Sequence, residues 1–115
     1  MRTYPLKDNA GATYAFEVDN VLLSPREIAR FVKSKLGAEI TAGPHGILAS
    51  DDMRLRFRYA GTEFEVFEPF RDNSRYWIGP YSENPAHAAS IDELHAAFLA
   101  YRPNLFRRLV AVLRV

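Results

Sequence analysis

The chain predicts an α+β fold: an antiparallel sheet of about five or six strands, with one N-terminal helix and two C-terminal helices packed mainly on one face. Three observations lead there. Between Met53 and Val66 apolar and charged residues alternate, the period-two pattern of half-buried strands. Ser24-Pro25-Arg26-Glu27 and Ser90-Ile91-Asp92-Glu93 read as capping boxes that open helices. The order is strand, strand, helix, short strands, three antiparallel strands and two helices, with no linker or internal repeat to divide residues 1–115. One domain is expected over the whole length.

In chain order, residues 2–6 and 12–18 read as strands around the turn Asp8-Asn9-Ala10-Gly11. Thr13, Ala15 and Glu17 alternate with Tyr14, Phe16 and Val18. Ser24 caps the first helix and Pro25 suits its first position. Ile28, Phe31, Val32 and Leu36 make its buried stripe, and Gly37 ends it as a left-handed cap. Arg26, Arg30 and Lys33 share the opposite side, which reads as a solvated face in preference to an anion-binding stripe. Residues 38–42 are a short strand, Gly43-Pro44-His45-Gly46 a turn, and Ile47–Ala49 a further extended piece.

The central stretch is the most informative. Met53, Leu55, Phe57 and Tyr59 take the core side, and Arg54, Arg56 and Arg58 the other. A two-residue turn at Ala60-Gly61 sets Phe57 against Phe64, Leu55 against Val66, Arg58 against Glu63 and Arg56 against Glu65. A four-residue loop over Ala60–Glu63 moves the partners by two places but keeps every side chain on its face. Each cross-strand ion pair contributes only about 0.2–1 kcal/mol. The apolar face therefore stabilises the hairpin, and the charges penalise a one-residue slip.

A third strand, Arg75 to Ile78, follows the turn Arg71-Asp72-Asn73-Ser74. Its expected pairing puts Trp77 beside Val66 on the core face and Tyr76 and Ile78 beside Phe67 on the other. Glu68 then points into the core next to Arg75 or Trp77, a costly position unless the charge is paired. Residues 81–89 read as a surface connection. The next helix runs from Ser90 to about Tyr101 with Ile91, Leu94, Phe98 and Tyr101 inward and His95 at the boundary. Pro103 starts a last helix over 104–114. Leu105, Phe106, Leu109, Val110, Val112 and Leu113 give it a wide apolar side, and Arg107, Arg108 and Arg114 occupy the rest.

Composition excludes several classes. There are no cysteines, so disulfides, thiolate metal sites and cysteine nucleophiles are ruled out, which suits a reducing cytoplasm. No apolar run approaches the roughly 18–20 residues that cross a bilayer, and the first residues carry no apolar signal core. A cytoplasmic domain of bacterial type is expected. Net charge is +1, so long-range attraction to nucleic acid or anionic membrane is weak. Of 15 cationic residues, Arg supplies all but Lys7, Lys33 and Lys35. That bias favours planar, bidentate contacts to carboxylate or phosphate, although a GC-rich genome produces it too.

No P-loop, GxSxG or GxGxxG occurs, and His45, His87 and His95 have no metal-ligand spacing. No catalytic residue, metal or cofactor is assigned. The densest constellation is Glu68–Tyr81, EPFRDNSRYWIGPY, which mixes Arg, acids and bulky aromatics. Such mixtures make interface hot spots. The expected function is non-catalytic binding of a protein partner, in a concrete form an immunity- or antitoxin-like protein. Arg56, Glu65, Phe67, Glu68, Arg75, Tyr76 and Trp77 are the binding residues. The alternative is a small hydrolase or isomerase with a carboxylate site around Glu68 and Asp72, aided by His45. RNA stacking on Tyr76 beside Arg54, Arg56 and Arg58 is disfavoured, because Glu63 and Glu65 cancel the field. Membrane binding is disfavoured too, and the 104–114 helix is the expected homodimer contact if one forms.

Overall fold

The computed structural model describes residues 1–21, 23–45, 52–69, 74–81 and 88–103. Within them the elements are β1 (Thr3–Lys7), β2 (Thr13–Asp19), α1 (Pro25–Leu36), β3 (Glu39–Ala42), β4 (Met53–Tyr59), β5 (Thr62–Phe67), β6 (Arg75–Pro80) and α2 (Ala88–Ala100). The strands form one antiparallel sheet in the order β1-β2-β6-β5-β4-β3. The chain lays down the β1–β2 hairpin, crosses through α1 to the far edge, and returns strand by strand until β6 closes against β2.

Local chemistry accounts for the turns. Asp8 Oδ1 accepts from the backbone N–H groups of Ala10 and Ala12, which fixes the first hairpin. Ser24 Oγ accepts from the Glu27 N–H, and Gly37 ends α1 in the left-handed conformation. Ala60 and Gly61 both take positive φ, 52° and 76°, as a two-residue primed turn requires. The β4–β5 register is the one the alternation predicts: Phe57 opposite Phe64, Leu55 opposite Val66, Arg58 opposite Glu63 and Arg56 opposite Glu65.

Both helices lie on one face, α1 over β3 and β4 and α2 over β1 and β2. Phe16, Val18, Leu55, Phe57, Phe64, Val66, Tyr76 and Ile78 meet Ile28, Phe31, Val32, Ile91, Leu94 and Phe98 there. Phe31 and Phe98 close the seam between the helices edge to face, with ring centroids 5.1 Å apart. The amino group of Met1 donates to the carbonyls of Phe98, Leu99 and Tyr101 and so satisfies the C-terminal end of α2. Among the described residues, no helix is long and apolar enough to cross a membrane.

Three expectations are corrected. First, β6 has the opposite parity: Val66 faces Ile78 and Phe67 faces Trp77. Tyr76 and Ile78 are therefore core residues, buried at 4% and 0% exposure, and Trp77 is on the side of the sheet away from α1 and α2. The strand also continues to Pro80, and Gly79 makes room for the indole. A Cβ at Gly79 would stand 2.6 Å from the Trp77 ring and 2.8 Å from Ala15 Cβ. Second, the β4 ladder is irregular between Met53 and Leu55, and Met53 pairs with Phe67. The extra residue of this bulge is Arg54, which is buried instead of sharing the face of Arg56 and Arg58. Third, α2 begins at Ala88, so Ser90 is buried within the helix and is not its cap. Ala88 and Ala89 are strong helix formers and extend the helix backwards. The helix expected over 104–114, the segment Ile47–Ala49, Asp72 and His87 lie outside the described residues.

Candidate functional site

The face of the sheet away from the helices is organised by cross-strand register. Glu17 is opposite Trp77, Asp19 opposite Arg75, Tyr4 opposite Glu17, Glu65 opposite Gly79 and Phe67 opposite Trp77. Among the described residues, neither helix packs on this side.

Its chemistry falls into two clusters around a central aromatic patch. In the first, the Arg75 guanidinium stacks on the Tyr4 ring, 3.5 Å from the centroid. It also approaches Glu17 Oε1 at 3.5 Å and Asp19 Oδ1 at 3.8 Å. Tyr4 donates its hydroxyl to Asp19 Oδ2 at 3.2 Å, and Arg2 approaches the same ring at 5.0 Å. In the second, the Arg56 guanidinium lies 4.0 Å over the Tyr81 ring. Its Nε is buried and has no hydrogen-bond partner among the described residues. Arg58 turns away from Glu63 and pairs with Glu39 on β3 at 3.2 Å, while Glu63 accepts from the Thr41 hydroxyl. Between the clusters is a depression of about 420 Å³, lined by Glu17, Glu65, Phe67, Pro69, Trp77, Pro80 and Tyr81.

Five of the seven residues expected to bind, namely Arg56, Glu65, Phe67, Arg75 and Trp77, share this face. Tyr76 and Glu68 do not. Glu68 is buried with its Oε1 accepting from Arg54 Nε at 3.0 Å and its Oε2 from Asn20 Nδ2 at 2.6 Å. The bulge in β4 thus has a specific effect. It turns Arg54 inward, where the guanidinium neutralises a carboxylate that the register forces into the core. Tyr76 lies close to this pair. Burial pushes its phenol well above the usual tyrosine range, and the Glu68 charge pushes in the same direction.

Tyr4, Glu17 and Tyr81 belong to the face and are not singled out by the sequence. Tyr81 could have been found, since it has the parity of Arg75, Trp77 and Gly79. Glu17 and Tyr4 could not, because nothing local signals that β2 pairs with β6.

The two described histidines are elsewhere. His95 lies between α2 and the sheet, with Nε2 2.7 Å from Thr3 Oγ1 and its ring 4.9 Å from that of Phe16. Its pKa is lowered by burial, against a smaller upward pull from Asp92, while Lys7 adds a small downward one. His45 is exposed and its backbone N–H donates to the Arg54 carbonyl. No cluster of His, Asp or Glu suited to a metal ion occurs among the described residues.

A larger groove of about 690 Å³ runs between α1 and α2, over Phe31, Leu36, Ala97 and Tyr101 with Arg30, Lys35 and Arg102 at its rim. Residues 104–115, which follow its lining closely in the chain, lie outside the described residues, so the groove carries no functional reading. Comparison with protein-family models, with curated proteins and with solved structures finds no match to this chain.

Proposed function

We propose that the chain is a non-catalytic protein-binding domain that docks its partner through the face of the sheet away from α1 and α2, in a concrete form as an immunity- or antitoxin-like protein. The observation that carries this reading is the state of the large rings on that face. Tyr4 and Tyr81 sit on the surface under arginines, beside a depression walled by Trp77 and Phe67. Aromatic and arginine side chains presented together match the composition of interface cores. Size and two-layer architecture support the immunity- or antitoxin-like form by analogy alone, since a fold does not fix a function.

The hydrolase or isomerase alternative gains no support from the described residues. Asp72 lies outside them, Glu68 has both oxygens engaged, and neither the depression nor the groove is lined by Glu68. Nucleic-acid binding gains none either. Arg54 is buried, Arg58 is paired with Glu39, and the remaining arginine of β4, Arg56, faces Glu65.

The test is affinity capture from the native cell with wild-type, Arg56→Glu and Arg75→Glu chains as baits. A protein recovered by the wild type and lost by both variants is the expected result. Arg75 lies between Glu17 and Asp19 and Arg56 is opposite Glu65, so each reversal sets like charges against each other and lowers the melting temperature modestly; thermal melts establish that both baits are folded at the capture temperature. Identical recoveries from all three baits would remove the docking face.

A further inference from the structure

We draw no further inference here: the strongest candidate, the groove between α1 and α2 with its apolar floor and cationic rim, carries nothing, because residues 104–115 that follow its lining lie outside the described residues and nothing in the structure shows what covers it.

Discussion

Ala60 holds a conformation that alanine tolerates poorly. Its φ of 52° is in the left-handed region, which costs an L-residue with a Cβ about 1–2 kcal/mol. Asparagine enters that region more readily and, with glycine after it, is the preferred primed-turn pair. Ala60→Asn is therefore expected to stabilise the protein by about 0.5–1 kcal/mol, seen as a higher urea midpoint with an unchanged slope. The buried Arg54–Glu68 pair behaves differently. Removing either partner strands a charge inside the protein, so Glu68→Leu or Arg54→Met alone should cost about 3–5 kcal/mol. The double substitution should cost less than either, because no uncompensated charge remains. A double-mutant cycle by urea denaturation measures this. Tyr76→Ala belongs with these core changes. It should lower stability by about 3–5 kcal/mol, and so cannot serve as a clean binding variant.

Elements were legible in the sequence where their determinants are local. A two-residue turn flanked by strict alternation leaves one register for β4 and β5, and every pair from Arg56 to Phe64 follows from it. Ser24, Pro25 and Gly37 mark α1 at both ends for the same reason. The parity of β6 was not legible. It depends on the path between Glu68 and Ser74, which period-two patterning does not encode. Hydrophobic size then misleads, since Trp77 outranks Tyr76 as a core candidate. What decides the matter is Gly79, which gives the indole a place to lie outside the core. The bulge at Arg54 was hidden similarly: only the arrival of Glu68 on the inner side explains why β4 takes an extra residue there.

The seating of α2 on the first hairpin has a pH dependence with a definite sign. Burial lowers the His95 pKa, so the folded chain holds that proton less tightly than the unfolded one. The stability that neutral His95 provides is complete above its unfolded value, about 6.5. It is lost as pH falls through the lower folded value. From about pH 7.5 to pH 5 the melting temperature should therefore fall more steeply in the wild type than in His95→Gln. Equal slopes would mean that the imidazole does not titrate against folding.

At the scale of the whole molecule, the sheet has one face committed to the helices and one face organised around rings, guanidinium groups and carboxylates. The second face draws on β1, β2, β6, β5 and β4, so it exists only when the full strand order is assembled. Most of its members were visible in the sequence as a cluster, but their arrangement needed the β2–β6 pairing. That pairing joins the first hairpin to the rest, and it sets a further prediction. A chain cut after Ser74 keeps both helix α1 and the β3–β4–β5 run, yet it should show no cooperative thermal transition and should bind a hydrophobic dye.

The same position of β6 bears on how the protein is made. Its two neighbours are synthesised first, and each waits with an unzipped edge for a strand that leaves the ribosome later. Phe16, Val18, Phe64 and Val66 stand along those edges. At about 5–20 residues per second, the interval from Val66 to Pro80 is on the order of a second. For that time the nascent chain holds two half-sheets that could join the wrong neighbour, and residues 75–80 are the keystone that ends the hazard.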